Sequence, residues 1–332
     1  MSSGWTSNSR VRRALAGAGV VAGGAVAGAI AAGYYVASAV TRPGRYTPRE
    51  EYTFSPFELG IPYEDVTFPP ELGDHYVRGW WLPRPETTSV VIVCTGYRAK
   101  RSDMLGISSA LWRAGFNVLL FDFFGHGAQI GAPVTLGYRE LNDLLGALDY
   151  ALHRVRGARI GVVGFSMGAA VSIMGTARRP EIRALVADSS FATHEGEVRY
   201  AVSQTFRMPA ACARLIARVA DQFIYWRAGY HHRDVEPLAE VARIAPRPIL
   251  FIHSSTDETI DVGDARRLFA AAGEPKELWI GAATSHCGVY FLDRQSYCAR
   301  VSAFLAHALS DGSAAPPRPP ASAIADRAQQ PA

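Results

Sequence analysis

The sequence predicts an α/β fold: a mostly parallel, doubly wound sheet with a small helical lid, preceded by an N-terminal transmembrane or signal helix. Three observations lead there. Short apolar runs free of polar alternation recur, as at residues 90–94, 160–163 and 248–252, and such runs suit parallel strands covered on both faces. Helical stretches alternate with them at 103–114, 136–155 and 264–272, the order a doubly wound sheet requires. No charged residue stands between Ala14 and Val40, a length sufficient to cross a bilayer as a helix.

Taken in chain order, residues 1–13 are a basic arm and 14–40 the membrane-length segment, followed by a linker at 41–53. One α/β domain occupies 54–309. It opens with strands near 63–68 and 75–82, expected to be antiparallel to each other. The strand 90–94 and the helix 103–114 follow, then a turn at Asp122-Phe123-Phe124-Gly125-His126-Gly127 and the helix 136–155. The strand 160–163 leads through a tight turn into a helix that meets no breaker before Pro180. Between the strand 184–188 and Pro248 lies a stretch that reads as helices, a lid over 192–247. The strand 248–252, a helix from about Val262 and the strand 277–280 complete the sheet. The tail 310–332, rich in proline and alanine, is expected to be disordered.

The tight turn is Gly164-Phe165-Ser166-Met167-Gly168, a G-x-S-x-G pattern between a strand and a helix. A serine on so sharp a turn needs small neighbours two positions away, and Gly164 and Gly168 supply them. An isolated match would be weak, so the chain must also provide an acid and then a histidine downstream. Asp257 follows the buried strand at 248–252 and can accept from an imidazole Nδ1–H. Glu258 and Asp261 are its rivals, better read as a solvated loop residue and a helix cap. His286 stands in the loop after the strand 277–280, where the last member of the triad belongs. His253 reads as a packed core histidine and His126 as a loop-shaping one. An oxyanion hole needs two N–H donors. Met167, which opens the helix after Ser166, supplies one, and Tyr97 in the loop Thr95-Gly96-Tyr97-Arg98 is expected to supply the second.

With these residues the chain resembles the α/β-hydrolase superfamily, within the Bem46-like and serine-aminopeptidase-like hydrolases, over about residues 54–309. Besides the elbow, the resemblance rests on Leu59-Gly60-Ile61-Pro62-Tyr63-Glu64-Asp65-Val66, Gly79-Trp80-Trp81-Leu82-Pro83, Asp122-Phe123-Phe124-Gly125-His126-Gly127 and Ala245-Pro246-Arg247-Pro248-Ile249-Leu250-Phe251-Ile252-His253. It implies Ser166 as nucleophile, Asp257 as acid and His286 as base, with no cofactor and no metal. Thr95-Gly96 replaces the family's usual His-Gly, which bears on Tyr97 as a donor. The expected reaction is hydrolysis of a small-molecule acyl compound, of carboxylesterase type, through an acyl-enzyme. Peptidase, amidase or thioesterase activity would use the same triad. A catalytically inactive, membrane-tethered binding protein is the alternative of another class.

The lid carries Phe206, Phe223, Tyr225, Trp226 and Tyr230, which either line an apolar substrate pocket or pack the lid onto the sheet. At the N-terminus, arginines flank the uncharged stretch on both sides, so the side of the membrane stays open. A single-helix anchor is the first reading; Ala37-Ser38-Ala39 would be a cleavage site if the segment were a signal peptide and the domain secreted. The net charge of +4 comes from dispersed arginines with only two lysines, Lys100 and Lys276, a pattern unlike that of a nucleic-acid-binding protein. Arg98, Lys100 and Arg101 follow the oxyanion loop as a solvated face or an anion attractor. Cys94, Cys212, Cys287 and Cys298 show no metal spacing, and export would allow Cys287 and Cys298 to pair. Oligomeric state is not legible.

Overall fold

The computed structural model describes residues 6–42, 54–127 and 133–310, with side chains from Gly24 onward. The tail beyond 310, the first five residues of the basic arm and most of the linker lie outside them. A long helix, α1 (Thr6–Thr41), comes first. Then follow β1 (Glu64–Phe68), β2 (Val77–Leu82), β3 (Ser89–Cys94), α2 (Leu105–Arg113), β4 (Asn117–Asp122) and α3 (Glu140–Arg154). β5 (Arg159–Phe165), α4 (Met167–Arg178) and β6 (Ile182–Asp188) lead into α5 (His194–Phe206), α6 (Ala210–Ala228) and α7 (Pro237–Glu240). The chain returns through β7 (Ile249–Ser254), α8 (Val262–Ala271), β8 (Lys276–Gly281), α9 (Val289–Leu292) and α10 (Arg294–Ala308).

One sheet holds the eight strands in the order β1-β2-β4-β3-β5-β6-β7-β8. From β4 to β8 all neighbours are parallel. The expected antiparallel pair β1 and β2 is present, and β2 joins the parallel part by a second antiparallel pairing to β4. Because successive strand residues point to opposite faces, the central strands feed two cores. Ile92, Leu119 and Val162 meet Leu144 of α3 and Val171 of α4 on one side. Val91, Val93, Leu120 and Val163 meet Leu111 of α2 with Tyr297 and Leu305 of α10 on the other. Strand order reverses at β3, which has β4 on one flank and β5 on the other. In open α/β sheets the crevice beyond the strand ends at such a reversal is where ligands bind.

α1 is built into this body at its C-terminal end. Gly33, Val36, Ala37, Val40 and Thr41 recur at i, i+3, i+4, i+7 and i+8, and all but the half-buried Val40 are buried. A methyl group placed on Gly33 would lie 2.5 Å from Val219 Cγ1 of α6, so the glycine sets the close approach of the two helices. Tyr34 packs edge-on against Phe223 at 5.5 Å, and Arg227 Nε donates to Thr41 Oγ1 at 3.1 Å. The segment Gly24–Thr41, with a mean hydropathy of 1.4, is long and apolar enough to cross a membrane by length and composition.

Candidate active site

Ser166 sits between β5 and α4 with φ 55° and ψ −121°, a backbone conformation that L side chains rarely adopt. The two elbow glycines make that conformation possible. A methyl group on Gly164 would lie 2.4 Å from the Gly168 carbonyl oxygen, and one on Gly168 would lie 2.3 Å from the Thr95 carbonyl oxygen. The first contact closes β5 onto α4, and the second closes α4 onto the end of β3. The turn is further held by the Ser166 N–H, which donates to the Asp188 carbonyl at 2.8 Å.

β7 and β8 bring up the other two residues. His286 Nδ1 donates to Asp257 Oδ2 at 2.8 Å. The second oxygen, Asp257 Oδ1, accepts from the Thr259 and Ile260 amides at 2.8 and 3.0 Å. Burial acts to raise the Asp257 carboxyl, but His286 and these amides outweigh it and hold the carboxyl below its ordinary range. His286 Nε2 has no partner among the described residues. Its loop lies near the nucleophile: burial pushes up the thiol of the next residue, Cys287, while the Ser189 side chain and the Ser166 backbone both act on that thiol to lower it.

The rivals have other work. Asp261 caps α8 by accepting from the Gly263 N–H at 2.8 Å. His253 is fully buried and donates from Nε2 to the Ile260 carbonyl at 3.1 Å. His126 is buried too, and its Nδ1 donates to the Phe124 carbonyl at 3.2 Å.

Met167 opens α4, where the first N–H groups lack intrahelical acceptors. The loop after β3 approaches from the opposite side: a methyl group on Gly96 would stand 3.4 Å from Ser166 Cβ. Tyr97, the next residue, is half-buried, and its hydroxyl donates to the Ala39 carbonyl of α1 at 2.9 Å. Arg98, although exposed, and the half-buried Arg101 both have partners within the chain. Arg98 donates to the Ala39 carbonyl at 3.2 Å, and Arg101 pairs with Asp122 at 3.0 Å while lying over the Trp80 ring.

Sequence reasoning missed the buried layer beneath the elbow. Asp188 is fully buried at the end of β6, accepting from the Tyr297 hydroxyl at 2.7 Å and the Ser189 hydroxyl at 2.9 Å. Burial pushes its carboxyl up to about 6, against those two donors and the nearby His286. The one sequence signal was an aspartate closing an otherwise apolar strand. Glu197 on α5 was missed as well. Its Oε2 is buried with no hydrogen-bond partner among the described residues, and burial, then Asp264 and Asp257, pushes the carboxyl up to about 8.

Of the two readings open for the lid aromatics, packing describes Tyr230 and Phe223, and none of the five lines either cavity beside α5. Tyr230 is fully buried and stacks on Tyr138 at 5.0 Å, while Phe223 lies between Tyr34 and Trp226. Phe206, Tyr225 and Trp226 are exposed. Helical phase explains this, since positions 219, 223 and 227 of α6 face α1. Two cavities flank α5. One of about 320 Å³ is lined by Glu197, Tyr200, Ser203, Asp264 and Arg267 among others, and one of about 580 Å³ by Tyr200, Gln204, Thr205, Thr256, Asp257 and Glu258. Neither is lined by Ser166. Among the described residues no cluster of His, Cys, Asp or Glu is arranged to hold a metal ion, and all four cysteines are free.

A strained serine at a strand-to-helix elbow, an acid after β7 and a histidine after β8, on a sheet of this order, define the α/β hydrolases. The chain belongs to that superfamily and is a hydrolase. The family model described as serine aminopeptidase, S33, matches residues 85–240. The uncharacterized protein YqkD of Bacillus subtilis is 30% identical over 233 residues, covering 69% of this chain and 75% of YqkD. The uncharacterized protein YfhR of Salmonella typhi is 30% identical, covering 64% and 71%. Among solved structures, the esterase Pf2001 of Pyrococcus furiosus superposes with a TM-score of 0.65 at 25% identity, over 81% of this chain and 100% of that one. The α/β hydrolase GrgF of a Penicillium species shares the fold, with a TM-score of 0.60 at 19% identity over 75% of this chain and 99% of that one.

Proposed function

We propose that the protein is a membrane-associated serine hydrolase that cleaves a carboxylic ester through an acyl-enzyme intermediate. The observation that carries this reading is the His286–Asp257 hydrogen bond, which leaves Nε2 unengaged in a loop beside the strained Ser166. His286 Nε2 takes the Ser166 hydroxyl proton as Oγ attacks the acyl carbonyl. The Met167 and Tyr97 amides hold the oxyanion, and Asp257 stabilises the imidazolium. Collapse of the tetrahedral intermediate expels the alcohol, which takes the proton from His286. Water, deprotonated by His286, then attacks the acyl group and releases the carboxylic acid and free Ser166.

Ester cleavage is favoured because the neighbour at 25% identity is an esterase. The serine-aminopeptidase description of the family model makes an amide substrate the second reading. A fluorophosphonate probe tests the nucleophile: wild-type protein labels, and Ser166→Ala does not. Equal labelling of the two would overturn the assignment. Matched acyl esters, thioesters and amides then separate the bond types.

For the N-terminal helix we favour a retained anchor over a cleaved signal. Ala37, within the Ala37-Ser38-Ala39 sequence, and Thr41, just after it, are buried against the body. Flotation of the full chain with vesicles, with sequencing of its N-terminus after expression, tests this. Soluble protein beginning after Ala39 would refute it.

A further inference from the structure

We propose that the side chains of Tyr97 and Arg98 clamp the oxyanion loop to the C-terminal end of α1, so that seating of α1 on the lid controls catalysis. The proposal rests on the reading of Ser166 as nucleophile and goes beyond it by giving the N-terminal helix a part in building the site.

The last carbonyls of a helix have no intrahelical partner, and they form its partially negative end. In α1 the donors come from the oxyanion loop. The Tyr97 hydroxyl lies 2.9 Å from the Ala39 carbonyl and 3.2 Å from that of Val40. The Arg98 guanidinium reaches the Ala39 carbonyl at 3.2 Å and the Arg42 carbonyl at 3.5 Å, and lies over the Tyr97 ring at 4.9 Å. A cationic donor at this end of a helix is the favourable arrangement.

Arg98 itself has φ 59°, in the left-handed region that residues with a side chain seldom occupy. Such strain persists only where surrounding contacts hold it. Those contacts are made to α1, while two residues earlier Gly96 lies against Ser166. Release of the clamp therefore lets the strained loop relax next to the nucleophile, turning the Tyr97 N–H away from the oxyanion.

The other side of α1 is seated on the lid. Gly33 packs against Val219, Tyr34 against Phe223, and Thr41 accepts from Arg227. α1 thus links the lid helix to the oxyanion loop. Whatever seats or unseats this helix, its insertion in a bilayer included, changes the loop that stabilises the transition state.

The test is a double-mutant cycle in the full chain, read as kcat and KM for ester hydrolysis. Tyr97→Phe keeps the backbone N–H and removes the mooring, and we expect kcat to fall about ten-fold with KM unchanged within about two-fold. Gly33→Leu drives atoms into Val219 and unseats α1, with a similar fall. Because both act through one clamp, the double variant should be no slower than the slower single variant. Wild-type kcat in Tyr97→Phe, or effects that multiply in the double variant, would overturn the proposal. Should Gly33→Leu fail to fold, Arg227→Gln loosens the seat more gently and completes the same cycle. Hydrogen exchange at the amides of residues 96–99 gives a reading independent of catalysis, with faster exchange expected in the unseated variant. The two possible failures separate cleanly. Wild-type protein that does not label with a fluorophosphonate overturns the hydrolase reading, whereas unchanged exchange at 96–99 overturns the clamp.

Discussion

Asp257→Asn puts the triad to its sharpest test, because the surroundings dictate which way the new amide must face. Oδ1 accepts two backbone N–H groups, from Thr259 and Ile260, and Oδ2 accepts His286 Nδ1–H. The asparagine oxygen keeps the two amides, which leaves its NH₂ facing Nδ1. A donor at that position forces the ring proton onto Nε2, and His286 then presents a proton to Ser166 where a lone pair is needed. Turning the amide over would restore the tautomer but aim the NH₂ at the Thr259 and Ile260 N–H groups, the second of them buried. Two lost hydrogen bonds at about 1 kcal/mol each, with the cost of orphaning their donors, come to about 3 kcal/mol or more. At that cost fewer than roughly one molecule in a hundred is turned. kcat for an acyl ester should therefore fall by at least about a hundred-fold, and by up to about 10⁴-fold as the wrong tautomer does in other triads. KM should change little, and circular dichroism should be that of the wild type. A correctly folded variant with kcat within about ten-fold of wild type would refute Asp257 as the residue that orients His286.

Two further outcomes follow from the packing and the buried charge. Gly168→Ala drives a methyl group to 2.3 Å from the Thr95 carbonyl oxygen and 2.5 Å from that of Cys94, both rigid backbone. It should cost about 1–3 kcal/mol in urea unfolding and slow fluorophosphonate labelling, and a neutral variant would contradict the steric account of the elbow. Glu197 is pushed up to about 8 in the fold from an ordinary value of 4.5, so between those pH values the folded state holds a proton that the unfolded chain gives up. Its effect is absent below about 4.5 and destabilises the fold increasingly as pH rises to about 8. Glu197→Gln should flatten the decline in melting temperature between pH 6 and 8, above the value of about 6 to which another buried carboxyl, Asp188, is raised. An unchanged slope would place the titration elsewhere.

Much of the molecule was legible in the chain because its signals are local. A run such as Val90-Val91-Ile92-Val93-Cys94 has no polar alternation to satisfy a half-exposed strand, so its burial on both faces follows from the residues alone. The spacing of Gly164, Ser166 and Gly168 carries its own steric reason, and β5 and α4 meet there as that reason requires. The order of Ser166, Asp257 and His286 along the chain is likewise a one-dimensional fact. The positions at which they stand, each after a parallel strand, could be read from periodicity.

What tertiary structure decided concerns residues far apart in sequence. Asp257 and Asp261 are equally acidic on paper, and only the pairing of β7 with β8 brings one to His286 and leaves the other at the start of α8. Asp188 reads as the polar end of a strand until Tyr297 arrives from α10 and encloses it beneath the elbow. The lid aromatics were ambiguous because composition does not fix helical phase, and that phase turns Phe223 toward α1. Above all, composition described the N-terminal segment only as an apolar helix of membrane length. Its attachment to Val219, Arg227, Tyr97 and Arg98 depends on contacts spanning most of the domain, which no local pattern encodes.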